Sequence, residues 1–129
     1  MRRPWIIVTA ALMVSGCGGA SDKRAGVTAV VRAFYAALQS GDGAAACAGL
    51  APETRHKLEE SEGQACPQAV VSLHLSARSV RVVDAYGRGA RVVLDTDTAF
   101  ASRMRDGWRI TAAGCKERSN LPYDCQLEK

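Results

Sequence analysis

Between residues 24 and 39, apolar side chains recur at Val27, Val30, Val31, Phe34, Tyr35 and Leu38. Offsets of three and four residues put all six in one stripe of a helix. The spacing predicts a helix over 24–39, with Ser21 or Asp22 to cap its start and Ser40-Gly41 to stop it. Such a face meets either the domain's own sheet or a membrane or partner. The polar side lacks the basic cluster of membrane-lying helices, which favours the sheet. Asp42 suits the N-cap of a second helix, 43–50, almost all alanine and able to pack closely. Pro52 suits the first position of a third helix reaching Glu60, polar except for Leu58 and expected to lie exposed. Cys66-Pro67 opens an apolar segment. Its proline predicts a helix over 67–75, although Val71, Leu73 and Leu75 also alternate as a strand would.

From Ser79 the period changes to two. Val80 and Val82 alternate with Arg81 and Val83 on a first strand, and Gly87-Arg88-Gly89 marks a turn. Ala90, Val92, Leu94, Thr96, Thr98 and Phe100 mark one face of a long second stretch that bends or breaks near Asp97. Asp106-Gly107 is a hairpin signal, with Met104, Trp108, Ile110 and Ala112 on its arms. Trp108 shares a strand face with Ile110 and is expected in the core. The final strand is expected to end at Gly114, leaving polar residues 116–124 as a tail. Helices followed by an antiparallel meander predict an α+β domain, with N-terminal helices packed on a curved antiparallel sheet.

A different pattern opens the chain. Arg2 and Arg3 precede an apolar run from Trp5 to Val14 and then small residues. Ten apolar residues are too few to cross a hydrocarbon core of roughly 30 Å, which needs ~20. The run therefore reads as the core of a cleaved signal peptide, residues 1–16. Val14-Ser15-Gly16-Cys17 resembles the lipobox of bacterial lipoproteins: a branched aliphatic, two small residues, then cysteine. The resemblance implies that Cys17 becomes the lipidated first residue, its thiol forming a thioether to diacylglycerol, and that the membrane is a partner through that anchor. Residues 17–23 then read as a flexible tether and 24–129 as one domain. This places the protein at the outer face of the cytoplasmic membrane or elsewhere in the cell envelope.

Charge changes little. Loss of Arg2 and Arg3 with the signal peptide lowers the formal charge from +4 to +2, which gives no case for nucleic-acid binding. Aromatics are few, so the core must be built mainly from Val, Ala and Leu. Cys47, Cys66, Cys115 and Cys125 remain after cleavage. In an exported chain they suggest two disulfides, with three connectivities open. The short loops favour Cys47–Cys66 and Cys115–Cys125, each contributing on the order of 3 kcal/mol in the chain-entropy model. The first would tie the alanine-rich helix to the segment entering the sheet region, and the second would close the polar tail into a loop. No C-x-x-C is present, and the spacing does not match the usual zinc modules, so neither a redox site nor a metal is expected.

The order of elements resembles the nuclear transport factor 2-like superfamily, the SnoaL or ketosteroid-isomerase-like cone. Ala33-Phe34-Tyr35-Ala36-Ala37-Leu38, then Ser40-Gly41-Asp42, then Asp106-Gly107-Trp108-Arg109-Ile110 carry the likeness across roughly residues 24–113. Thr111-Ala112-Ala113-Gly114-Cys115 with Pro122-Tyr123-Asp124-Cys125 is similar to uncharacterised bacterial lipoproteins of this type. The resemblance implies a cone-like sheet but no single chemistry, since this cone hosts enzymes and binding modules alike. Its enzymes place acid–base residues inside the cone, and no local motif carries those positions over.

Phosphate loop, nucleophile elbow and H-E-x-x-H are all absent. Asp95-Thr96-Asp97 would set two carboxylates on one side of an extended strand, able to hold a hard cation or divide acid and base roles, or simply to solvate the strand. His74, beside Leu73 and Leu75, would project into a cone pocket as a base or rest as a satisfied boundary residue. Tyr86 and Tyr123 are equally open. Two functions follow. One is a non-enzymatic envelope module binding a protein partner or an apolar small ligand, with no cofactor. The other is an isomerase- or lyase-type enzyme using His74 with Asp95 or Asp97.

Overall fold

Four helices and then five strands follow one another without interleaving in the computed structural model, which describes residues 19–129. The signal peptide and Cys17 lie outside the described residues.

Helix α1 (Gly19–Gln39) buries Val27, Val31, Phe34, Tyr35 and Ala37, as its stripe predicts. It starts earlier than expected. Residues 19–23, read as tether, form its first turns, and Ser21 and Asp22 lie inside the helix rather than capping it. Its end follows from Gly41, whose positive φ of 74° lets the Asp42 N–H turn back to the Ala37 carbonyl at 2.8 Å. The Asp42 carboxylate then accepts the Ala45 N–H at 3.0 Å and caps α2 (Gly43–Ala48).

After α2 the chain runs briefly alongside the sheet. The Ile110 N–H donates to the Gly49 carbonyl and the Ala51 N–H to the Ile110 carbonyl, both at 2.8 Å. Leu50 thereby forms an isolated parallel bridge to Ile110. Helix α3 (Pro52–Glu62) starts on its proline and stops at Gly63, in the left-handed region. It is exposed except at Leu58 and at Thr54, whose hydroxyl donates to the Thr111 carbonyl at 3.0 Å. Residues 67–75, expected as a helix, form α4 (Cys66–Ser72) and then leave it, with Leu75 buried. The expected Cys47–Cys66 bridge joins α2 to the first residue of α4, with Cα atoms 6.2 Å apart.

The strands β1 (Val80–Tyr86), β2 (Gly89–Leu94), β3 (Thr98–Met104), β4 (Gly107–Arg118) and β5 (Leu121–Glu128) form an antiparallel meander in that order. Ala90, Val92, Leu94, Ala99, Ala101, Trp108 and Ile110 are buried and pack with the helices in one core.

Four expectations are corrected. Val80 and Val82 do not share the core face. A bulge between them shifts the phase, so Val80, Val83 and Ala85 pack on the core while Val82 is 45% exposed. Phe100 does not continue the face of Ala90 and Val92. The chain turns at residues 95–96, and Phe100 pairs with Arg91 on the opposite side of the sheet. Residues 116–124 are closed off by the Cys115–Cys125 bond as expected, but they are not a polar tail. They form the end of the β4–β5 hairpin, in which Cys115 and Cys125 are direct cross-strand partners with Cα atoms 3.9 Å apart. The Asp106-Gly107 signal falls one residue late, since Arg105-Asp106 forms the turn and Gly107 opens β4.

Candidate functional site

The exposed rim of α1, after its core residues are placed, meets the segment that leads into β1. Between them lies a groove of about 520 Å³. Arg32, Tyr35, Ala36 and Gln39 come from α1, Ala77 to Val80 from the opposite wall, and Leu94 from the end of β2. Tyr35 and Leu94 are buried and form the floor, whereas Arg32, Gln39 and Arg78 stand exposed at the rim. A second depression of about 420 Å³ adjoins it, sharing Gln39, Ala77 and Arg78 and adding Ser76, Asp95 and Thr96.

Helix periodicity puts the Tyr35 ring inward, and a buried hydroxyl needs a partner. That partner is Asp97, whose Oδ1 accepts the Tyr35 hydroxyl at 2.9 Å. Burial pushes the Tyr35 phenol well above its ordinary range, and the Asp97 charge adds to this. Burial also raises Asp97, against the Tyr35 hydrogen bond and nearby Lys116, which favour its charged form. Lys116 is held close because its ammonium donates to the Thr96 carbonyl.

The two aspartates do not work as a pair. They sit in the tight turn between β2 and β3, where the Leu94 N–H donates to the Asp97 carbonyl at 2.8 Å, and not on an extended strand. Asp95 Oδ1 accepts the backbone N–H groups of Arg78 at 3.0 Å and Ser79 at 3.3 Å. These bonds hold its carboxyl below the ordinary aspartate value. Asp95 thus fixes the wall of the groove, while Asp97 turns to α1. His74 does not enter a pocket. It is exposed just past α4, in the left-handed region at φ 54°. His56 is exposed on α3 beside Glu60. Tyr86 is 61% exposed at the end of β1. Tyr123 lies on the sheet face away from the helices, its ring edge-on to Phe100 and its hydroxyl donating to Glu117 at 2.8 Å. Of the residues singled out for chemistry, only Asp95 and Asp97 come near the groove.

Sequence reading missed Tyr35 as more than a core residue, and missed Arg32 and Arg78 altogether. A hydroxyl on a buried stripe was the available signal, but its partner lies 62 residues away.

The two aspartates titrate with opposite consequences for stability. Asp97 is raised above the unfolded value of 3.8, so its contribution is complete below that pH and is lost as pH rises through its folded pKa. Asp95 is lowered, so its contribution is present above 3.8 and is lost as pH falls through its folded pKa. We expect Asp97→Asn, which keeps an acceptor for Tyr35, to abolish the loss of stability on the alkaline side of 3.8 and to leave the acid side unchanged. Urea denaturation across pH measures both limbs. An unchanged alkaline limb would show that Asp97 is as well solvated folded as unfolded.

No family model, curated protein or solved structure matches this chain.

Proposed function

We propose that the chain is a lipid-anchored protein of the bacterial cell envelope, tethered through Cys17, whose nuclear transport factor 2-like domain binds a ligand without transforming it. The pair of disulfides carries this reading. Cys47–Cys66 joins two helices and Cys115–Cys125 two neighbouring strands, and such bonds persist in oxidising, extracytoplasmic compartments. No helix among the described residues is long and apolar enough to cross a membrane, and the lipobox-like Val14-Ser15-Gly16-Cys17 supplies another means of attachment. Two acyl chains meet the requirement for stable anchoring, at about 0.8 kcal/mol per buried methylene.

Long opening helix, short second helix, bridge to the sheet and antiparallel meander support the superfamily reading. The binding role is supported by the groove beside α1 and by the dispersal of the acid–base candidates. An isomerase or lyase would need a base facing its substrate. His74 is exposed, Asp95 is bound to backbone amides, and Asp97 is not among the groove residues.

Labelled palmitate fed to cells making the protein should enter the wild type and not Cys17→Ser, and the variant should leave the membrane fraction. Equal labelling of both would remove the anchor.

A further inference from the structure

Arg32 and Arg78 line opposite walls of the groove, one on α1 and one on the segment before β1. Among the described residues neither guanidinium meets a carboxylate, a state they share with most arginines outside the Arg55–Glu59, Arg91–Asp84 and Arg109–Asp106 pairs. Two cations over one concavity repel each other unless an anion lies between them. The carboxylates of the neighbouring turn are committed elsewhere, Asp97 to the Tyr35 hydroxyl and Asp95 to two backbone N–H groups. The rest of the lining is mixed: the buried Tyr35 and Leu94 with Val80, Ala36 and Ala77 give apolar contact, beside the polar Ser79 and Gln39.

We propose that this groove binds an amphiphilic organic carboxylate, its head between Arg32 and Arg78 and its hydrocarbon body on the Tyr35–Leu94 floor. The proposal rests on reading the domain as a binding module and names the ligand class of that site. The planar fork of a guanidinium matches the two oxygens of a carboxylate, and each wall supplies one fork. The Gln39 amide is a further donor at the same rim. A volume of about 520 Å³ suits a small ligand, since such sites span ~300–1,000 Å³. The hydrocarbon supplies apolar contact, and the cations discriminate an acid from a neutral molecule of the same length.

Decanoate and decanol are the matched probes, titrated calorimetrically into the full chain carrying Cys17→Ser, so that no acyl chain of its own competes. Decanoate should bind about tenfold or more tightly than decanol, a factor worth about 1.4 kcal/mol. The double variant Arg32→Gln/Arg78→Gln, with an unchanged circular dichroism spectrum, should lose that preference and bind decanol as before. Arg24→Gln/Arg105→Gln, which removes the same charge outside the groove, should keep it. Equal binding of both probes by the wild type would overturn the carboxylate proposal and leave the groove as a binding site. An equal loss in both double variants would also overturn it, by assigning the effect to net charge. Binding of neither probe would remove the groove as well, while palmitate labelling would still decide the anchor on its own.

Discussion

Gly43→Ala is expected to destabilise the domain by about 3 kcal/mol or more, as overpacking does when backbone cannot yield. At an exposed helical site the same change would be stabilising, by up to ~1 kcal/mol, because alanine loses less conformational freedom. Gly43 is buried at the start of α2, and a Cβ there would stand 2.0 Å from the Pro67 carbonyl oxygen and 2.7 Å from its carbon. Pro67 belongs to the first turn of α4, and the Cys47–Cys66 bond prevents the two helices from simply parting. Urea denaturation with the disulfides intact measures the change. A gain in stability would mean that α2 and α4 do not approach each other this closely.

Trp108→Ala should cost about 3–5 kcal/mol, the range for removing a large aromatic from a core. Trp108 is 6% exposed, and α1 crosses it at Gly26, where a Cβ would lie 3.0 Å from the indole Cδ1. The indole therefore fills the space between the β3–β4 hairpin and the start of the buried helix face. Its loss leaves a cavity that α1, pinned at Val27, Val31 and Phe34, cannot close by tilting. Denaturant midpoints of the folded variant check this. A cost under ~1 kcal/mol would place the ring at the surface.

Legibility from the sequence followed the range of the interactions. The face of α1, the Asp42 cap, the start of α3 at Pro52 and that of α4 beside Pro67 are set within a few residues, and all were readable. The class, helices on an antiparallel meander, followed from the change of period at Ser79. Strand phase was not readable past Val80, because a bulge inserts a residue without leaving a mark in the side-chain pattern. Strand β5 was hidden for another reason: Leu127 is its one fully buried side chain, and polar residues around it read as tail. The groove needs two walls separated by some forty residues, so neither Arg32 nor Arg78 signals it alone. The bond between Tyr35 and Asp97 spans a longer distance still.

The two disulfides also decide what a protease can accomplish. Each closes a covalent ring, one enclosing α3 and the other enclosing the tip of the β4–β5 hairpin at Ser119-Asn120. Hydrolysis of a peptide bond inside either ring leaves both fragments on one molecule, held by sulfur as well as by the sheet or the helices. A nicked hairpin would keep Leu127 in the core and β5 in place. Only cuts outside the rings divide the molecule, as along α1 or between α4 and Gly114. Nicking within either ring would therefore pass unseen on a non-reducing gel and appear only after a reductant is added.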